Sequence, residues 1–234
     1  MGRGSLRTSF TGSALIRLLA QLADAEAPES KQAFAERLSQ WLGWTDAISL
    51  SAALNTPAEP AAGPRAAPLD KAEADVARVR AALTRAIAEE GAFAAPPPPA
   101  PGEPLDPKAE FAAYRRRYVA RQQAMEAGIA PLRERLRGAL AGVSGPMARL
   151  AAVDAVMEQV LRDREHVLLA GVPRLLEKRF ERLCRDAAEG PAPGGWHEVF
   201  AGDLQRVLLA ELEVRLQPVE GLLEALRARP DKPT

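Results

Sequence analysis

Apolar residues recur at spacings of three and four along most of this chain, the period of a helix face and not of a strand. The first stripe is Leu15, Leu18, Leu19 and Leu22; Phe10 precedes a Thr11 N-cap and is placed to staple onto Leu15. Pro28 and Ser30 open a second helix with Phe34, Leu38, Trp41 and Leu42 inward, and Gly43 stands where a left-handed residue would close it. Thr45 then caps a third short helix carrying Ile48, Leu50 and Leu54, with Asp46 at the positive end of its dipole. Residues 8–55 thus read as an N-terminal unit of three short helices with a small core about Trp41 and Trp44.

The period disappears over 56–69, where Pro57, Pro60, Pro64 and Pro68 remove backbone donors and make a flexible linker. Residues 70–91 read as an amphipathic docking helix opened by Asp70 and Glu73, with Val76, Val79, Leu83 and Ile87 in one narrow stripe. A second, Pro-rich linker covers 92–105, and its run Pro96 to Pro99 has the composition of polyproline II.

From 106 to 228 the stripes lengthen. Asp106 and Pro107 form an N-cap and N1 pair ahead of Phe111, Tyr114, Tyr118, Met125, Ile129, Leu132, Leu136 and Leu140, with a kink expected at Pro131. Gly145 and Pro146 start a second long helix, whose inward side reads Leu150, Val153, Met157, Leu161, Leu168, Val172, Leu175 and Leu183, with a break at Pro173. The last runs from Trp196 through Phe200, Leu204, Leu208, Leu212, Leu216, Val219, Leu223 and Leu226, kinked at Pro218. The expected fold class is all-α: a small N-terminal helical unit, Pro/Ala-rich linkers and an elongated C-terminal antiparallel three-helix bundle.

Composition supports helix, since alanine is about a fifth of the residues and pairs with leucine, arginine and glutamate as strong helix formers. Lys plus Arg and Asp plus Glu are 31 each, so no overall field draws nucleic acid or acidic lipid to the chain. Cys184 is the single cysteine, which excludes an intrachain disulfide and fits a reducing compartment. No stretch approaches the ~18 apolar residues that a membrane helix needs, and no cleavable leader follows Met1, so the expectation is a cytoplasmic protein without membrane insertion.

Catalytic chemistry is sparse. His197 lies in Trp196-His197-Glu198-Val199-Phe200, but Ala201 stands where a zinc helix would need its second histidine. His166 follows Asp163 by three residues, half of a di-iron pattern, whereas Gly194 stands three before His197. Asp154 and Glu158 share a helix face as surface carboxylates, and no phosphate-binding glycine loop or nucleophile elbow occurs. We expect no catalytic residue, cofactor or metal. The possible interaction residues are Trp44, at a helix end, and the basic group Arg115, Arg116, Arg117 and Arg121 around Tyr114 and Tyr118. At 100° per residue those arginines cannot share one groove, which makes nucleic acid the alternative to a non-enzymatic helical adaptor with protein partners.

The segments 11-TGSALIRLLAQL-22, 36-ERLSQWLGWTDAISLSAAL-54, 114-YRRRYVARQQAMEAGIAPLRERLR-137 and 211-ELEVRLQPVEGLLEAL-226 resemble a family of bacterial proteins known only as a domain of unknown function. The resemblance covers most of the chain outside the linkers. It implies an accessory to an envelope-spanning machine, whose partner would be a component of a membrane complex.

Overall fold

The computed structural model describes residues 14–24, 36, 40–55, 69–89, 91–94, 106–189 and 195–228. All regular structure among them is helical, in the order α1 (Ala14–Leu22), α2 (Trp44–Asn55), α3 (Leu69–Ala88), α4 (Pro107–Ala141), α5 (Gly145–Ala170), α6 (Val172–Glu189) and α7 (Trp196–Arg227). The Phe10–Thr11 staple, most of the helix read between Pro28 and Leu42, the linker over 56–68 and the Pro96–Pro99 run lie outside the described residues.

Helices α4 and α7, of 35 and 32 residues, form the spine. They run parallel: Glu110 meets His197 near their N-termini, and Tyr118 meets Glu211 further along. The N-cap Asp106 accepts from Lys108 N at 2.9 Å and Pro107 occupies the first turn, where its missing N–H costs nothing. Both helices continue past Pro131 and Pro218. The buried residues of α7 include Phe200, Leu204, Leu208, Leu212, Leu216, Val219, Leu223 and Leu226, the whole stripe expected after Trp196.

The chain returns along this spine in two pieces. Gly142 to Ser144 turn it into α5, and Gly171 separates α5 from α6, two residues before Pro173. Proline in the first turn of α6 needs no helical donor, so the break falls at the glycine. Helix α3 lies antiparallel to α7, as Glu73–Arg227 (2.7 Å) and Arg80–Glu213 (2.7 Å) show, and also packs on α4. Gly91, with φ 78°, takes the left-handed turn after α3 that few side chains tolerate. That turn sends Phe93 back into the core at 1% exposure, so the opening of the segment read as a linker is packed.

Among the described residues, α1 and α2 pack on different parts of the fold. Leu15 and Leu22 of α1 are buried in the common core against α6 and α7, and Arg182 ties this helix down through Asp24 and the Leu22 carbonyl. Helix α2 instead packs on α5, and the Arg164 guanidinium lies 5.6 Å over the ring of half-buried Trp41. Trp44 is 83% exposed and no residue of α2 is buried. Gly43 is not left-handed; its carbonyl accepts from Ala47 N and its N–H donates to Asp46 Oδ2 at 3.0 Å. It therefore starts α2 at Trp44, and Thr45 is already inside the helix. On α5 the expected stripe is displaced: Leu168 and Leu150 are exposed, and Leu169 and Ala151 are buried instead.

Candidate functional site

Two acidic side chains of α7 are fully buried, Asp203 and Glu211. A carboxylate removed from water needs several donors, and Glu211 has them. Tyr118 on α4 donates its hydroxyl at 2.8 Å, Gln122 donates Nε2 at 3.0 and 3.1 Å, and Arg215, one turn further along α7, donates Nε at 2.9 Å. The Gln122 amide also reaches the Leu169 carbonyl at 3.3 Å, so α4, α5 and α7 converge here. Burial, then the adjacent Glu211 charge, raises the Tyr118 phenol far above its ordinary 10 and keeps it a donor. Asp203 is held by Arg179 of α6 at 2.9 Å and by Arg206 on its own helix.

Below this seam Phe111, Tyr114, Phe180, Trp196 and Phe200 form an aromatic cluster joining α4, α6 and α7. The Tyr114 hydroxyl is buried without a partner, and burial first, then Glu110, pushes its phenol up to about 12. His197 stacks on Trp196 at 3.7 Å, and its Nε2 lies 2.6 Å from Glu110 Oε1. His197 thus fastens α7 to α4.

Above the seam, α5 carries Asp154 and Glu158 to Arg133 and Arg137 of α4. Arg133 binds Asp154 through Nε at 2.9 Å and Nη2 at 2.7 Å, and Arg137 reaches Asp154 at 3.1 Å and also contacts Glu158. The two carboxylates are 13% and 15% exposed, so the surface role read for them is replaced by a clamp between two helices. Burial disfavours the charge on Glu158, but Arg137, Arg133 and Arg162 outweigh it and hold the carboxyl below its ordinary 4.5. Burial likewise opposes charge on Arg137 and is outweighed by Glu134, Glu158 and Asp154, which raise it. A carboxyl whose value falls on folding stabilises the fold above its unfolded value, and that contribution disappears as pH drops through the folded one. Between roughly pH 5 and pH 3 the parent should therefore lose stability more steeply than Glu158→Gln in urea titrations. Equal acid limbs in the two proteins would remove Glu158 from the clamp.

Just beyond Gln122 a groove of about 440 Å³ lies between α5 and α7, lined also by α4, and Arg215 in its lining spans from Glu211 to Glu165 at 3.5 Å. His166 and Asp163 are on its α5 side, and no cluster of three metal-ligating side chains occurs among the described residues. The basic group is elsewhere and divided. Arg115 and Arg116 are exposed, Arg117 donates to the Ala94 carbonyl, and Arg121 is half-buried; Tyr114 and Tyr118 beside them face the core. Trp44 stands at one end of an exposed α2 face that continues through Ile48 to Asn55.

These features describe an all-helical protein in which buried and half-buried polar side chains join α4 to α5 and α7, with no helix among the described residues long and apolar enough to cross a membrane. The chain belongs to the family described as "Protein of unknown function (DUF3348)", which matches residues 1–228. No curated protein and no solved structure matches it.

Proposed function

We propose that this protein is a non-enzymatic cytoplasmic adaptor that binds a protein partner through the exposed face of α2. The observation that carries the reading is Trp44, 83% exposed on a helix that has no buried residue. Ile48, one turn on, is 54% exposed, and the single ionisable side chain of α2, Asp46, is turned back to Gly43. A solvent-facing helix ordinarily carries charges on its outer face, whereas contiguous exposed apolar residues mark contact sites. Tryptophan is also the side chain most enriched where binding energy concentrates. The resemblance to the bacterial family supports a component of an envelope-associated complex as the partner. Nucleic acid is less well supported, because Arg117 already serves Ala94 and leaves Arg115 and Arg116 as the two exposed members of the basic group.

Trp44→Ser separates contact from folding. Being exposed, the indole should contribute no more than about 0.5 kcal/mol to stability, measured by urea unfolding. With a photo-crosslinking amino acid at Ile48, the full-length protein in its native cells should give one discrete adduct, absent when Trp44 is Ser. An adduct pattern indifferent to Trp44→Ser would remove α2 as the docking face.

A further inference from the structure

The groove between α5 and α7 has the chemistry of a second docking site, and we propose that it receives an amphipathic helix of another protein, with aliphatic anchors on one face and lysine or arginine along its edges. Its lining sets the apolar side chains of Ile129 of α4, Met157 and Leu161 of α5 and Pro218 of α7 among charged ones from the same three helices. Helix α5 has only Ala151 and Leu169 buried among 26 residues, so Met157 and Leu161 have apolar surface that the fold leaves partly uncovered. An amphipathic helix fills such a trough with side chains spaced three and four apart.

Charge selects the occupant. Every arginine lining the groove is already neutralised within the chain: Arg133 by Asp154, Arg162 by Glu158, and Arg215 by Glu211 and Glu165. The two acids Glu126 and Asp163 line the same groove, are exposed, and have no ion-pair partner among the described residues. The unspent charge is therefore negative, while an anionic ligand would find no free cation. Lysines or arginines flanking an apolar stripe would meet Glu126 from the α4 side and Asp163 from the α5 side. The site is separate from the α2 face and depends on none of the residues invoked there.

Fluorescence anisotropy of the full-length protein with a labelled amphipathic helix made only of leucine and lysine tests this, beside a peptide in which every lysine is glutamate. The lysine peptide should bind and the glutamate peptide should not. Charge reversal in the Glu126→Lys/Asp163→Lys variant should weaken binding roughly tenfold or more, as reversed charges at an interface do. These two side chains are exposed, so that variant keeps its fold; Leu161→Ser, checked by circular dichroism, probes the apolar part of the lining and should weaken binding comparably. Trp44→Ser should leave the affinity unchanged, which keeps this result distinct from the fate of the α2 reading. Failure of the lysine peptide to bind, equal binding of the glutamate peptide, or affinity unmoved by Glu126→Lys/Asp163→Lys would each overturn the proposal.

Discussion

Replacing Glu211 with alanine should destabilise this protein by about 3–5 kcal/mol, the cost of breaking a buried ion pair from one side. The carboxylate has no exposed surface, and three donors from two helices converge on it. Alanine would leave the Tyr118 hydroxyl without its acceptor, the Gln122 amide with the Leu169 carbonyl alone, and the Arg215 guanidinium, itself only 15% exposed, with Glu165 as its remaining carboxylate. Tyr118→Phe removes one hydrogen bond to a charged acceptor and should cost less, about 1.5–3 kcal/mol. Urea unfolding of the parent and both variants measures the order. If Glu211→Ala unfolds at the parent's midpoint, the carboxylate is hydrated in solution and the seam does not join α4 to α7.

The stripes of α4 and α7 were legible because long helices repeat one face many times, and each repeat strengthens the same assignment. Helix α5 was not, since it touches the spine along a narrow line and leaves Leu150, Val167 and Leu168 to solvent. Its apolar residues are too numerous for the face it buries, and a stripe drawn through all of them lands a residue away from Ala151 and Leu169. The pairing of Asp154 and Glu158 with Arg133 and Arg137 needed the α4–α5 register, which no local pattern contains. Glu211 and Asp203 left a fainter signal. They fall four residues either side of Val207, on a row beside the leucine stripe, and Val207 is itself buried. A spine helix packed on several sides buries two such rows, so a charge on the second row becomes an interior charge. Arg215 one turn after Glu211 was the available hint, though the same i,i+4 spacing is commonplace on exposed helices. Trp44 left a mixed signal for a related reason: aromatic content suggests a core, but the helix that Trp44 opens has no buried residue.

Phe180→Ala should cost a similar amount, about 3–5 kcal/mol, through a different mechanism. The ring is fully buried, with its centroid 5.6 Å from Phe111, 5.9 Å from Tyr114, 5.2 Å from Trp196 and 5.1 Å from Phe200. It belongs to α6, and the rings around it belong to α4 and α7, so removing it opens a cavity where three helices meet. The surrounding side chains are themselves large and rigid, which limits how far they can collapse into the space. Phe180→Leu retains much of the volume and should cost appreciably less, because it gives up the edge-to-face ring packing but keeps most of the burial. Trp196, packed at 65° against Phe180, offers an optical reading: its emission should shift to longer wavelength in Phe180→Ala as water gains access to the cluster. Loss of α1 docking should accompany it, because Leu22 and Asp24 are tied to α6 through Arg182, two residues beyond Phe180. A Phe180→Ala protein with the parent's emission and unfolding midpoint would mean that α6 is not held to the spine by this cluster, and that Arg179–Asp203 and its neighbours carry the attachment instead.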